Sequence, residues 1–225
     1  KARMSEELDY HLEARNQRHF ANAFRGDEDV LIPEVLVDSK HVIVTEWIDG
    51  TPLASVITNG TTQERDEAAT LYLEFLLRAP NRARMLHADP HPGNFRITDD
   101  GRLAVFDFGA VNRLPHGLPA SLGRVLTEAL AGDAVALEAV LREEGFIRKG
   151  IAIDPDALLE YLKPLVEPLL HDQFTPTREW LRGAAATLQD PRRPQFLIGL
   201  KLNLPPEYLL IHRVWLGGIG VLSQI

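Results

Sequence analysis

The spacing of apolar residues changes along this chain, and the changes mark out its predicted elements. Over residues 5–24 apolar positions recur at helical spacing and acidic residues fill the first half, which predicts a helix. Residues 34–37 and 41–47 are instead apolar and β-branched around a polar turn, which predicts a β-hairpin. Residues 30–33 are interpreted as a connector, and residues 48–52 as a linker that ends the hairpin.

A second helical stretch begins with a polar start signal. Thr61 and Glu64 have the spacing of a capping box and predict a long helix that ends near Ala83. Two short strands, 95–98 and 103–106, are predicted to follow around a turn rich in aspartate and glycine.

The rest of the chain, from Pro119 onward, reads as helices. Asp154 followed by Pro155 is typical of a helix start, and residues 208–222 form an apolar stretch too interrupted to span a bilayer. The whole pattern predicts an α+β chain with two lobes joined near residue 48. A lone hairpin needs further strands to be stable. Because the chain begins with Lys1 and not with Met, we expect those strands upstream.

Composition narrows the possible functions. The chain has 225 residues, 45% hydrophobic and 25% charged, as expected of a globular protein with a core. Its net charge of −8 argues against a nucleic-acid partner. With no cysteine, the sequence offers no disulfide, thiolate zinc site or cysteine nucleophile.

The strongest chemical signal lies between residues 87 and 109. His87, Asp89 and Asn94 form an H-x-D-x-x-x-x-N loop, and Asp107 begins a D-F-G turn after the predicted hairpin. This order is typical of the metal-binding and catalytic half of a protein-kinase-type phosphotransfer site. Each motif alone is more often an ordinary turn. Together, with one short hairpin between them, they predict a catalytic Asp89 and two Mg²⁺ ligands, Asn94 and Asp107.

Two further positions fit a nucleotide site. Glu13 lies on the first predicted helix, where it could pair with a phosphate-binding lysine from an upstream strand. Backbone groups of Glu46 and Ile48, at the end of the hairpin, could hydrogen-bond an adenine edge. A different hypothesis uses the same loop: His87 and His91 with Asp89 and Asp107 as ligands of a metallohydrolase.

The sequences HADPHPGN (87–94), DFGA (107–110) and LPPEYLLIHR (204–213), with Glu13, resemble the UbiB/AarF-type atypical protein-kinase-like family. The resemblance implies a kinase-like two-lobe fold, with a partial N-lobe over residues 1–48 and a mostly helical C-lobe over 49–225. It also implies ATP and Mg²⁺ as cofactors, ATPase or small-molecule kinase activity, and a role in isoprenoid quinone (ubiquinone) biosynthesis. Lipid or quinone-pathway intermediates and a membrane surface would be partners, at a cytoplasmic, membrane-associated location.

Residue by residue, the resemblance makes Glu13 the lysine partner, Asp89 the catalytic aspartate, and Asn94 and Asp107 the metal ligands. Glu7 and Asp9 resemble the family's E-x-D pair, which contacts an N-terminal extension. The K-x-G-Q extension, the alanine-rich nucleotide loop and the lysine strand of the family are absent from these residues, so this segment alone is expected to be inactive.

The segment after the D-F-G turn bears on the phosphoryl acceptor. It contains no A-P-E element and no long activation segment, and His91 stands where ordinary kinases have a lysine. A small or lipid-like acceptor, or water, is therefore favoured over a protein. A nucleotide- or lipid-binding pseudokinase scaffold without turnover is the alternative.

Overall fold

The structure is a computed structural model that describes residues 10–225. The helices are Tyr10–Ala23 (α1), Leu53–Asn59 (α2), Thr62–Arg82 (α3), Ala120–Ala131 (α4), Ala134–Glu143 (α5), Pro155–Val166 (α6), Arg178–Gln189 (α7), Pro194–Lys201 (α8) and Leu209–Leu222 (α9). The strands are Val30–Leu31 (β1), Val35–Asp38 (β2), Ile43–Thr45 (β3), Thr51–Pro52 (β4), Met85–His87 (β5), Phe95–Ile97 (β6), Leu103–Val105 (β7) and Val111–Arg113 (β8). Short 3-10 helices span Pro92–Asn94, Glu167–Leu170 and Pro206–Tyr208. The predicted α+β class is confirmed.

The chain forms two compact units. One holds the described residues up to Gly117 together with Leu210–Ile225, and the other spans Leu118–Leu209. The first unit contains strands β1 to β8 and both motif loops. The second is helical, as predicted, and packs around Leu137, Leu158 and Ile198. The lobe boundary near residue 48 is a different division of the chain and stays a prediction.

Three small sheets organise the first unit within residues 10–117. The largest has four strands in the order β1-β7-β6-β4, with β1 parallel to β7 and the other pairs antiparallel. The predicted hairpin is the separate β2–β3 pair, and β5 pairs with β8. The connector and linker predictions were wrong at Val30–Leu31 and Thr51–Pro52, which are strands. Their partners in β7 and β6 lie far along the chain, so no local pattern announces them.

The long helix α3 begins as its sequence predicts. Glu64 donates its backbone N–H to Thr61 Oγ1 over 3.3 Å, and Thr61 donates its own N–H to Glu64 Oε2 over 2.7 Å. These bonds satisfy amides at the helix start that have no partner within the helix. The hydrogen bond to Thr61 also holds the pKa of Glu64 below its usual value.

An aromatic core underlies the motif loops. Phe20, Phe75, Phe95 and Phe108 are fully buried, and Phe20 and Phe108 have ring centroids 4.9 Å apart. Phe108 is the middle residue of the D-F-G turn. The turn is therefore fixed by its own aromatic side chain, which packs under helix α1.

None of the helices within residues 10–225 combines the length and the apolar character needed to cross a bilayer. The longest, α3, has a mixed polar and apolar sequence, and the apolar α9 has 14 residues. The membrane association implied by the resemblance stays a prediction.

Candidate active site

The H-x-D-x-x-x-x-N loop brings two predicted site residues into contact. Strand β5 ends at His87, and the 3-10 helix Pro92–Asn94 closes the loop. The Asn94 side-chain amide donates to Asp89 Oδ2 over 2.8 Å and to the Asp89 carbonyl over 3.3 Å. With Nδ2 used in this way, Oδ1 is the atom of Asn94 suited to bind a cation.

Two strand ladders bring the D-F-G turn to this loop. Asn94 immediately precedes β6, Asp107 follows β7 by two residues, and Phe106 donates its N–H to the Asn94 carbonyl over 2.9 Å. On the other side of the turn, Ala88 donates its N–H to the Ala110 carbonyl over 2.8 Å, which extends the β5–β8 pairing. Asp89 and Asp107 thus lie on two loops that are tied together on both sides.

The backbone of Asp107 adopts an uncommon conformation. Its φ is +60°, in the left-handed region that aspartate enters more readily than most residues. Its Oδ1 accepts the Gly109 N–H over 3.2 Å, and the residue is exposed. The Asp107 carboxylate is therefore held at the surface of the turn, where a ligand can reach it.

Helix α1 holds the turn through the backbone of Phe108. The Glu13 carboxylate accepts a hydrogen bond from the Phe108 N–H, and the Asn16 side chain donates to the Phe108 carbonyl over 3.0 Å. Residues 13, 16 and 20 lie on one face of the helix, so a single surface of α1 contacts both the backbone and the ring of Phe108.

Glu13 lies beside a second carboxylate. A Cβ added at Gly109 would be 3.3 Å from Asp107 Oδ1 and 3.8 Å from Glu13 Oε2, so both acids flank this glycine. Burial raises the pKa of Glu13, and the negative charge of Asp107 raises it further, against the hydrogen bond from Phe108. Its lysine partner, expected upstream of Lys1, stays a prediction. The sequence pattern did not predict the contact with the D-F-G turn.

The metallohydrolase hypothesis was wrong about His87. Its imidazole is fully buried against Phe75, Phe95 and Phe108, and its Nε2 lies 3.1 Å from the Phe106 carbonyl. Burial lowers the pKa of His87, so the ring is neutral and Nε2–H is the donor to that carbonyl. Among residues 10–225, no three His, Cys, Asp or Glu side chains are grouped closely enough to hold a metal.

His91, the second proposed ligand, is exposed and turned to its own loop. Its Nδ1 accepts the Gly93 N–H over 3.1 Å. The hairpin residue Glu46 donates its backbone N–H to the Glu34 carbonyl over 2.8 Å. The carbonyl of Glu46 is therefore the backbone group that could contact an adenine. Adenine binding by Glu46 and Ile48 stays a prediction. Glu7 and Asp9 lie outside the described residues.

The comparisons with known proteins agree with this arrangement of motifs. The sequence model of the ABC1 atypical kinase-like domain matches residues 1–141, which include the catalytic loop and the D-F-G turn. The chain belongs to the ABC1 atypical kinase-like family. This is the UbiB/AarF group that the motifs resembled, and the resemblance is confirmed.

Three similar proteins show how widely the likeness extends. Protein ACTIVITY OF BC1 COMPLEX KINASE 3, chloroplastic, of Arabidopsis thaliana is 31% identical over 222 residues, 94% of this chain and 29% of that protein. Atypical kinase COQ8B, mitochondrial, of Danio rerio is 26% identical over 231 residues, 97% of this chain and 35% of that protein. Rv3197 of Mycobacterium tuberculosis, solved with erythromycin, superposes with a TM-score of 0.88 at 35% identity, over 99% of this chain and 55% of that one.

The chain covers only part of the length of each relative. It spans about a third of the length of the curated relatives and 55% of the solved Rv3197 chain. The kinase-like fold of the ABC1 family is therefore shared over nearly the whole of this chain.

The donor set of this ABC1-family site fits magnesium. Mg²⁺ takes hard oxygen ligands and is usually bound by one or two carboxylates together with substrate phosphates and water. Asp107 and Asn94 supply a carboxylate and an amide oxygen, and no three His, Cys, Asp or Glu side chains of residues 10–225 form a closed cage. Such a donor set fits Mg²⁺ better than it fits zinc, whose sites are built from thiolate, imidazole and carboxylate ligands.

Sequence reasoning missed two residues that hold the ABC1-family loops. Asn16 is a buried polar residue on the apolar face of α1, and that combination in a helical pattern could have marked it. Tyr72 is also fully buried, and its hydroxyl donates to the Pro90 carbonyl over 2.7 Å. In the sequence Tyr72 is one aromatic core position among several, and nothing local distinguishes it.

Proposed function

We propose that this chain forms the catalytic part of an ATP- and Mg²⁺-dependent atypical kinase or ATPase. The observation that supports this most is the joining of the two motif loops. Asn94 donates to the Asp89 carboxylate through its side chain and accepts the Phe106 N–H through its backbone, one residue before Asp107. In the proposal, these joined loops carry the proton acceptor Asp89 and the two metal ligands Asn94 and Asp107 at one end of a hairpin.

Each residue has a distinct chemical task in this proposal. Asp89, oriented by the Asn94 amide, accepts the proton of the attacking hydroxyl or water. Asp107 and Asn94 Oδ1 hold Mg²⁺, which when bound neutralises charge on the nucleotide phosphates. Glu13 and Asn16 keep the D-F-G turn against helix α1, so that the Asp107 carboxylate faces outward. Most of the catalytic effect of such a site comes from positioning and electrostatics.

The segment after the D-F-G turn supports a proposal for the phosphoryl acceptor. Strand β8 ends at Arg113 and helix α4 begins at Ala120, so little chain remains between them for a peptide-docking segment. A small molecule, a lipid-like molecule or water is therefore the proposed acceptor.

Because relatives are named COQ8 atypical kinases, we infer a role in isoprenoid quinone biosynthesis, with quinone-pathway intermediates and a membrane surface as proposed partners. The hydrogen bond between Asn94 and the Asp89 carboxylate favours a protein with turnover over a pseudokinase scaffold, because a scaffold does not need an oriented base.

The proposal is tested at the metal ligand. In the complete gene product, Asp107→Asn is expected to abolish the Mg²⁺-dependent part of thermal stabilisation by ATP. Asparagine keeps Oδ1 for the Gly109 N–H but loses the charge that binds the cation. A nucleotide at 100 times its Kd stabilises a protein by about 2.7 kcal/mol, so the loss is measurable as a smaller shift in Tm.

The control for this test is Asp99→Asn, the same chemical change at an exposed aspartate in the β6–β7 turn. It should leave the Mg²⁺-dependent shift intact. An unchanged shift in Asp107→Asn would contradict the assignment of Asp107. Undetectable phosphate release by the wild-type protein at high ATP would instead favour the pseudokinase scaffold.

A second candidate function is binding of a macrolide. The observation in its favour is the erythromycin complex of Rv3197, which matches 99% of this chain at 35% identity. Erythromycin is expected to raise the Tm of the complete gene product in a concentration-dependent way, since a ligand that binds only the folded state stabilises it. No shift up to the solubility limit of the drug, in a sample that still responds to MgATP, would remove this candidate.

A further inference from the structure

The C-terminal helix α9 touches the catalytic loop. A Cβ added at Gly217 would lie 2.7 Å from Pro90 Cγ, closer than a methyl group can approach another carbon, so the backbone of α9 packs directly on this ring. Pro90 immediately follows Asp89. Gly217 lies outside residues 1–141, the part of the chain that matches the ABC1 domain model.

A second contact holds the same residue. The Tyr72 hydroxyl donates to the Pro90 carbonyl over 2.7 Å, and Tyr72 is fully buried in helix α3. Burial raises the pKa of Tyr72, and the nearby charge of Asp89 raises it further, so the hydroxyl stays protonated as a donor. Pro90 is therefore held at its carbonyl by α3 and at its ring by α9.

The chemistry of proline makes this contact consequential. The pyrrolidine ring is closed onto the backbone nitrogen, so pressure on Cγ cannot be relieved by rotation of a side chain. Ring pucker moves Cγ only in part, so the rest of the displacement falls on the peptide that joins Pro90 to Asp89 or on the backbone of α9. The neighbouring glycine differs: a Cβ at Gly218 would be 2.8 Å from Leu76 Cδ1, the end of a rotatable side chain and not part of a ring closed onto the backbone.

We propose that Gly217 is a positioning residue for the catalytic aspartate: the absence of a side chain there lets α9 support Pro90, and Pro90 keeps Asp89 in line with the reacting groups. This inference rests on the proposed phosphotransfer function. The three atoms nearest to a Cβ at Gly217 all belong to Pro90 and none to Asn94 or Asp107, so its effect should fall on the chemical step and not on binding.

The test compares two glycines of the same helix in the complete gene product. Gly217→Ala is expected to lower kcat for nucleotide turnover about ten- to a hundredfold, the range expected when a catalytic group is displaced by up to 1 Å. The KM for ATP and the Mg²⁺ requirement should be unchanged. Gly220→Ala is the matched control, because no atom outside its own helix and chain neighbours lies within 4 Å of its added Cβ. It should keep wild-type kcat.

The Pro90→Ala variant tests whether Gly217→Ala acts through its contact with Pro90 or through a general change in helix α9. The Gly217 Cβ would be 3.9 Å from Pro90 Cβ, an ordinary contact, so removal of the ring atoms makes room for the new methyl group. In a protein that already has Pro90→Ala, Gly217→Ala should change kcat less than about twofold, the mark of two residues coupled by direct contact.

Hydrogen exchange gives a readout that does not depend on turnover. The amides of residues 88–95 other than the two prolines should exchange faster in Gly217→Ala than in Gly220→Ala, because the added methyl group displaces the loop. Equal exchange with wild-type kcat in Gly217→Ala would overturn the positioning role and leave the proposed function intact. The wild-type protein could instead show no turnover while Gly217→Ala still speeds exchange in the loop. That result would overturn both the catalytic role of the contact and the proposed function.

Discussion

Asp89→Asn in the complete gene product is expected to lower nucleotide turnover about a thousandfold, within the range that general acid–base catalysis contributes. The substitution is structurally mild. The Asn94 amide, which donates to Asp89 Oδ2 over 2.8 Å, would still meet an acceptor oxygen in asparagine. What disappears is the basic carboxylate that takes up the proton of the acceptor. The affinity for MgATP should stay within about twofold, since Asp107 and Asn94 are untouched.

The measurement is steady-state phosphate release with ATP and candidate acceptors, beside Asp99→Asn as the charge-matched control. Asp99→Asn should retain wild-type kcat. The assignment of Asp89 fails if its asparagine variant turns over at the wild-type rate. A parallel loss of MgATP affinity would show that Asp89 acts in binding and would contradict its role as a base.

Asp27→Ala is expected to cost about 3 kcal/mol of folding free energy, the scale for removing one partner of a buried ion pair. The Asp27 side chain is 3% exposed and forms ion pairs with Arg78 and Arg82 of helix α3. Its Oδ1 also accepts the N–H groups of Asp29 and Val30 over 3.0 and 2.9 Å. Alanine would leave Arg82 without its carboxylate partner and two backbone donors without acceptors, whereas Arg78 would keep Asp29 and Glu74.

Denaturant unfolding with two companion variants checks this. Asp27→Asn keeps Oδ1 for both amides and replaces the ion-paired Oδ2 by an amide nitrogen, so it should cost less than Asp27→Ala. Asp38→Ala should cost much less than either, because its partners His11 and Arg18 are about half open to solvent. Equal losses in Asp27→Ala and Asp38→Ala would contradict the assigned importance of burial.

The same residue predicts a dependence on pH. Burial alone would raise the pKa of Asp27, but the hydrogen bonds from Asp29 and Val30 and the charges of Arg78 and Arg82 outweigh it and hold the pKa below its usual value. The contribution to stability is therefore complete above the ordinary aspartate pKa near 3.8 and is lost as the pH falls through the lower, folded-state value. Asp27→Asn should lack this part of the acid transition.

Local signals predicted a large share of the fold. The capping box of Thr61 and Glu64, the β2–β3 hairpin and the strands around the D-F-G turn all depend on neighbours within a few residues, and each was found where its pattern lies. The partners of β1 and β4 could not be predicted in this way. Two-residue strands have no periodicity, and their pairing is decided by strands from the far side of the motif loops.

In the candidate site, too, the locally determined features could be predicted and the long-range contacts could not. The order and spacing of Asp89, Asn94 and Asp107 could be predicted from the sequence. The loops and the hairpin that carry these residues are formed by neighbours along the chain. Their support could not be predicted, because it comes from distant segments: Asn16 reaches Phe108 across 92 positions, and Gly217 meets Pro90 from the last helix. A buried asparagine or a helical glycine looks the same in a sequence whether it faces a catalytic loop or an ordinary core. The packing of helices against the loops decides which it is, and packing exists only in the folded chain.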